Sequence, residues 1–375
     1  MNLPLNTDLT GKVAVVTGAA GTLCSVFSKA LAASGAKVAL LGRTYANVQK
    51  LADEITAEGG TAKAYECNVL DKAAVMACHE QVRADFGPCD ILLNGAGGNH
   101  PSATTDKEYY EPGDLDADTK SFFDLDETGV ASVFNLNFMG ILIPTQAFAR
   151  DMVAREGCNI INISSMNAYT PLTKIPAYSG AKSAVSNFTQ WLAVHFSKVG
   201  IRVNAIAPGF FSGKQNASLL WNPDGTPTAR TKKILAATPM GRFGQAEELL
   251  GALLFLLNDE AASFVTGVVI PVDGGFSAYS GVWHGGYLQN CRKRRHFRRG
   301  IKRSASAISC WKNAQKGAHP PAGFHAVPLA GGQDHKHLLS AIDRYGRAGR
   351  YHACPRHTRT SLQRAVGDHV QGHSV

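Results

Sequence analysis

Short apolar runs alternate with amphipathic stretches from Lys12 to about Gly275. Lys12-Val13-Ala14-Val15-Val16 is β-branched and apolar throughout, as expected of a strand buried on both faces. Similar runs at 37–41, 61–67, 90–93, 158–164, 201–207 and 268–271 predict further strands. Helical spacing of apolar positions predicts helices after Cys24 to about Ser34 and over about 45–58, 71–86, 129–155, 177–199 and 245–257. Strands alternating with helices imply a parallel sheet covered on both faces. Two stretches break the rhythm. Residues 210–240 read as irregular. Residues 99–127 are polar, rich in Asp, Thr and Pro, and interrupted by Tyr109-Tyr110 and Phe122-Phe123. That second stretch leaves the carboxyl end of a strand, where ligands bind in open α/β sheets. It reads as a substrate cover or as an insertion without ligand contact.

Charge divides the chain near Gly281. Residues 1–281 hold 21 Lys/Arg and 26 Asp/Glu, whereas 282–375 hold 17 Lys/Arg, three Asp and no Glu. The net charge of +9 therefore belongs to the tail. The tail opens on the basic run Cys291–Arg299 and shows no sustained periodicity. Three readings of it stay open: a gene read in the wrong frame, a disordered extension, or an arm for nucleic acid or membrane surfaces. A nucleic-acid role for the chain as a whole is not expected. The eight cysteines include no C-x-x-C pair, and their spacing fits neither a zinc site nor a disulfide framework. No metal site is expected. Scattered thiols, no signal-peptide pattern and no apolar stretch of membrane-spanning length lead to the expectation of a cytoplasmic protein.

The first strand runs into Thr17-Gly18-Ala19-Ala20-Gly21-Thr22-Leu23-Cys24 and then a helix. Strand, glycine turn, helix is the context of a phosphate-binding loop: small residues admit a pyrophosphate to the positive helix N-terminus. Thr17, Gly18, Gly21 and Leu23 are its candidate contacts, and Cys24 stands where a third small residue is usual. The second strand ends at Gly42-Arg43 with no carboxylate to hold a ribose 2′-hydroxyl. Arg43 either pairs with a 2′-phosphate or faces solvent; the balance is toward NADP over NAD. Asn68 and Val69 end the third strand where an adenine ring would rest. Asn94-Gly95-Ala96-Gly97 end the fourth: Asn94 ties neighbouring strands, and the small residues admit the nicotinamide ribose. Pro208-Gly209 end the sixth.

Tyr178 and Lys182, four residues apart, share one face of a helix. An ammonium beside a phenol favours the phenolate, so the tyrosine is expected to titrate below its usual range and to exchange protons with a carbonyl or alcohol. Alone, such a pair is most often a solvated helix face. Here Ser165 precedes Tyr178 by 13 residues, and Asn137 lies in Asn135-Leu136-Asn137-Phe138-Met139-Gly140.

Together these motifs resemble the short-chain dehydrogenases/reductases, over about residues 9–281. Within that family, Gly97-Gly98-Asn99-His100-Pro101, Phe122-Phe123-Asp124-Leu125, Ser165-Met166-Asn167-Ala168, Pro171–Pro176 and Pro208-Gly209-Phe210-Phe211 resemble the D-mannonate oxidoreductase (fructuronate reductase) branch. So does the cysteine at 24. The resemblance implies one Rossmann-type, doubly wound domain over 1–281, with seven parallel strands in the order 3-2-1-4-5-6-7. It implies NAD(P)(H) as cofactor, bound by the residues above with Tyr178 and Lys182. It implies Tyr178 as general acid and base, Ser165 on the substrate oxygen and Lys182 beside the phenol and nicotinamide ribose. Asn137 would position a water that links Lys182 to solvent. It implies a homodimer or homotetramer. Alternatives remain another polyol or keto-acid dehydrogenase and a silent dinucleotide-binding protein. A sugar-acid substrate needs a cation for its carboxylate and polar groups for its hydroxyls; Asn99, His100, Asn167, Lys174, Arg230 and Arg242 are candidates, each also readable as a surface residue.

Overall fold

A computed structural model describes residues 1, 3–213 and 217–281; the expectations for 282–375 lie outside the described residues. Seven parallel strands stand in the order β3-β2-β1-β4-β5-β6-β7. They are β1 Val13–Thr17, β2 Lys37–Gly42, β3 Thr61–Glu66, β4 Ile91–Asn94, β5 Cys158–Ile163, β6 Ile201–Pro208 and β7 Val269–Val272. The helices are α1 Thr22–Ala33, α2 Tyr45–Ala57, α3 Lys72–Phe86, α4 Glu127–Phe134, α5 Gly140–Phe148, α6 Pro176–His195, α7 Ala217–Leu220, α8 Ala229–Ala237 and α9 Leu250–Leu257.

Alternation along the strands sends side chains to both faces. Ala14, Val16, Val38 and Leu40 meet Phe27 and Leu31 of α1, Val48 of α2 and Leu253 of α9. Val13, Val15, Ala39 and Leu41 meet Val75 of α3, Phe148 of α5 and Leu192 of α6. Phe27 and Phe148 are wholly buried, each worth about 1.5–3 kcal/mol in transfer free energy. The sheet is therefore cored on both sides, and ligands are left its carboxyl edge.

Three departures from expectation have physical causes. The helix expected over 129–155 begins at Glu127, capped by the Asp126 side chain on Gly129 N–H, and α5 ends at Phe148. Between α4 and α5, Asn135–Met139 form a turn of π-helix. Asn137 Nδ2 donates to Val133 O at 2.8 Å, inserting a side-chain donor into the helical ladder. Pro144, which has no N–H, sits in the next turns. Secondly, this run, Glu127–Asp151, is long and apolar enough by length and composition to cross a membrane, contrary to the sequence reading. Here it packs into the domain, with Val133, Asn137, Ile141 and Phe148 buried. Thirdly, the stretch read as irregular over 210–240 contains α7 and α8. Thr228 caps α8 by accepting from Thr231 N–H; its largely polar surface hid its period.

Candidate active site

β1, β4 and β5 end side by side, with Thr17 paired to Asn94 and Asn94 to Asn162. Above them lies a cleft of about 380 Å³. Gly18, Gly21, Leu23, Arg43, Val69, Ala96, Gly97, Tyr178 and Lys182 line it, as expected of cofactor contacts. Leu136, Ile163, Cys67, Gly95 and Cys24 also line it and were not singled out as contacts. Ile163 and Cys67 end or follow strands at this edge, a signal that topology could have supplied.

Gly18 has φ +64°, and a Cβ there would come within 2.9 Å of Ala96 Cα, so only glycine fits. Gly97 is similarly cramped: a Cβ would reach 2.7 Å from Asn137 Oδ1 and 3.2 Å from Lys182 Nζ. The N-cap of α1 is Gly21, which has no side chain to cap the helix, and the first turn holds no acid. A helix end left this way, over a glycine-lined cleft, suits the diphosphate of a dinucleotide. The residues present thus fit a nicotinamide dinucleotide.

Other expected cofactor contacts do not lie at the wall. Thr17 is buried beneath it, its hydroxyl accepting from Gly95 N–H at 3.0 Å and Ala96 N–H at 3.3 Å. Asn94 is also fully buried and donates to Asn162 Oδ1 at 3.0 Å and Thr145 Oγ1 at 3.1 Å, the strand-tying role anticipated for it. Asn68 accepts from Leu70 N–H and stays off the lining. Pro208 pairs with Val272 across β6 and β7, and Gly209 N–H donates to Val272 O. Thr17, Asn94, Pro208 and Gly209 brace the turns behind the wall through these bonds.

The first turn of α6 carries Tyr178, with Pro176 at the helix start. The Ser165 hydroxyl lies near enough to the Tyr178 phenol to favour its ionised form. Ser165 also caps a short 3₁₀ turn by accepting from Asn167 N–H at 3.2 Å, which orients it. Lys182 is buried; its Nζ lies 5.6 Å from the Tyr178 ring centroid and donates to Ile163 O at 2.8 Å. Burial lowers Lys182 to about 8, the buried Cys24 thiol acting weakly against this. Burial in turn pushes Cys24 up to about 12.

Tyr178 departs from expectation. Burial raises it above the ordinary phenol range, and only the nearby Ser165 hydroxyl opposes that. Desolvation penalises the phenolate more than its surroundings favour it, and the phenol stays protonated as an acid should. Asn137 departs too. Both of its amide N–H groups are spent, on Gly98 O at 2.7 Å and Val133 O at 2.8 Å, and its Oδ1 accepts from Gly98 N–H. It ties the strand-β4 loop to the π turn and has no side-chain donor left for a water.

The candidate substrate residues separate into groups. Asn99 donates to Thr104 Oγ1, His100 contacts Ser102 Oγ, and buried Asn167 accepts from Leu172 N–H, so all three hold loops. Arg242 is engaged by both carboxylate oxygens of Glu248, at 2.7 and 2.6 Å. Lys174 and Arg230 instead line a second cavity, of about 430 Å³, bordered also by Ile175 at the N-cap of α6. Among the described residues no cluster could hold a metal ion.

A doubly wound sheet, a glycine-lined cleft over a helix N-terminus, and a tyrosine and lysine in its wall with a serine beside the phenol define a dinucleotide-dependent oxidoreductase acting on CH–OH groups. The chain belongs to the short chain dehydrogenase family, which it matches over residues 12–222. It is 60% identical over 282 residues to an oxidoreductase of Haemophilus influenzae, covering 75% of this chain and 99% of that one. It is similar to the crystal structure of a proposed D-mannonate oxidoreductase from the same genus with bound NAD, at TM-score 0.72 and 60% identity, covering 74% and 99%. It is also similar to a gluconate 5-dehydrogenase from Burkholderia cenocepacia in complex with NADP and tartrate, at TM-score 0.61 and 29% identity, covering 73% and 98%.

Proposed function

We propose that this chain reduces the ketone of a sugar acid, D-fructuronate to D-mannonate, and runs the reverse oxidation. The observation that carries the reading is Tyr178 and buried Lys182 together in the cleft wall, the Lys182 Nζ 5.6 Å from the Tyr178 ring centroid, with the Ser165 hydroxyl acting on the phenol. NAD(P)H, when bound, supplies the hydride. As charge develops on the substrate oxygen, the Tyr178 phenol gives it a proton and the Ser165 hydroxyl donates a hydrogen bond to it. In the oxidising direction the same phenolate takes the alcohol proton. Lys182, fixed by Ile163 O, supplies a nearby cation in its protonated form. Asn137 acts as a positioning residue, holding the Gly98 backbone against the turn that carries it.

A sugar acid is supported by Lys174 and Arg230, neither of which forms an ion pair among the described residues, at a cavity bordering α6. The relatives' named activities on D-mannonate and gluconate point the same way. For the cofactor, Arg43 at the cleft wall and the lack of a carboxylate closing β2 support NADP, whereas NAD bound in the Haemophilus structure supports NAD. The domain is 1–281, supported by the 282-residue match to a relative of nearly the same length. A homo-oligomer is supported by a partly exposed aromatic row on one face, Phe138, Phe188, Trp191 and His195. A cytoplasmic setting is supported by five free, buried cysteines among the described residues.

The test is a panel of uronate ketones, aldonates and neutral ketoses, each assayed with both cofactors. Reduction of D-fructuronate with the highest kcat/KM is expected. A preference for neutral ketoses would sink the sugar-acid reading. If Arg43 holds a 2′-phosphate, Arg43→Ala lowers kcat/KM for NADPH about tenfold and leaves NADH nearly as before.

A further inference from the structure

Between the loop after β4 and helix α8 lies the cavity of about 430 Å³. Arg230, Lys233, Ile234 and Ala237 of α8 line it at helical spacing, so one face of that helix forms a wall. Opposite stand Glu108 and Thr104 of the loop, with Lys174 and Ile175 leading into α6. Lys233 Nζ donates to Glu108 Oε1 at 2.6 Å, joining segments 125 residues apart. Glu108 is the cavity's single carboxylate. It faces three cations and titrates below the usual carboxylate range because of Lys233 first and Lys174 after it.

The neighbouring acids of the loop are engaged elsewhere. Glu111 and Asp114 bind Lys107, Asp106 accepts from Lys120 N–H, Asp124 from Ser121, and Asp126 caps α4. Lys174 has φ +73°, a conformation uncommon for a residue with a side chain, and Thr105 N–H pins its carbonyl at 2.9 Å. The backbone thus holds Lys174 at the cavity against its own preference. Tyr178 lies three residues beyond Ile175, in the first turn of the same helix.

We propose that this cavity binds the substrate's carboxylate between Lys174, Arg230 and Lys233, and that Glu108 is an internal competitor that the substrate displaces from Lys233. The inference rests on the sugar-acid reading and adds the residues and the exchange. Glu108 in this role keeps Lys233 oriented when substrate is absent and favours ligands that bring a carboxylate of their own. No bond is made or broken; one ion pair replaces another.

The decisive variant is Glu108→Gln. Loss of the competitor lowers KM for the sugar acid several-fold, whereas a merely structural Glu108 would leave KM the same or raise it. Arg230→Ala and Lys174→Ala raise KM about tenfold or more while moving kcat far less, and added salt raises the wild-type KM. Unchanged KM in both cation variants, with the sugar acid still turned over, overturns this inference and leaves the proposed reaction standing. Should wild type reduce no sugar acid, calorimetric titration of D-gluconate into the cofactor-loaded enzyme separates the two ideas. Binding lost in Arg230→Ala and strengthened in Glu108→Gln would keep the subsite without the proposed reaction. No binding, or binding indifferent to these changes, would remove it.

Discussion

The dinucleotide cleft and the cavity beside α8 are both at the carboxyl side of the sheet but are built by different means. The cleft is made of backbone. Gly18, Gly95 and Gly97 let main chains approach, the end of α1 offers N–H groups, and buried Thr17 and Asn94 fasten the turns from below. The cavity is made of side chains: Lys174, Arg230 and Lys233 around Glu108, on a loop and a short helix. Backbone geometry fixes the cleft for one kind of ligand, whereas exchangeable charges suit the cavity to tuning. A change in the cleft should therefore abolish function or stability, and a change in the cavity should shift preference.

The largest expected effect is at Tyr178, which lines the cleft three residues beyond Ile175 of the cavity. Removing the phenol proton in Tyr178→Phe should lower kcat by about 10²–10⁴ with dinucleotide binding retained. Rapid-mixing kinetics and cofactor fluorescence titration check the two halves of that statement. Turnover within a few-fold of wild type would mean that some other group moves the proton.

A second effect follows from Lys182. Burial depresses its folded value from 10.5 to about 8. Between about pH 8 and 10.5 the unfolded chain binds the proton more tightly, so the ammonium opposes folding below that window. Stability from this group rises with pH across it, by up to roughly 3 kcal/mol. Cys24, Cys89 and Cys158 have raised values and act in the opposite sense as they ionise. The comparison to make is wild type against Lys182→Met, in which the thiols largely cancel. Urea titrations at pH 7, 8, 9 and 10 should show wild type gaining relative to the variant. Parallel curves would mean that the folded ammonium is better solvated than its burial implies.

How far the sequence reveals each region follows from the same contrast. The sheet order and cleft are written locally: a β-branched run, a glycine turn, a helix start. Ser165, Tyr178 and Lys182 were legible because helix periodicity and fixed spacing place them. Asn137 was legible as a position but not as an amide with both N–H groups spent, since its partners Gly98 and Val133 become neighbours only when the π turn forms. The upward shift of Tyr178 was hidden because burial, unlike an i,i+4 partner, is not a local property. Lys233 and Glu108 were missed altogether. Glu108 sits in an aperiodic loop, Lys233 in a short helix whose polar surface hid its period, and their pairing depends on how loop and helix dock.

Cys24 offers the finest test of the backbone-built half. It stands where a third small residue is usual, and its thiol packs under Gly95. A Cβ added at Gly95 would overlap Cys24 Sγ and crowd Thr17 O at 3.1 Å and Leu93 Cδ2 at 3.3 Å. Gly95→Ala should therefore cost about 1–3 kcal/mol by overpacking. Cys24→Gly in the same chain removes the worst overlap, and the double variant should be more stable than the two separate losses would predict. The coupling measured in a double-mutant cycle should be at least about 0.5 kcal/mol, the size expected of residues in contact. Simple additivity would mean that the strain at Gly95 comes from Thr17 and Leu93, and that Cys24 fills space without holding the turn in place.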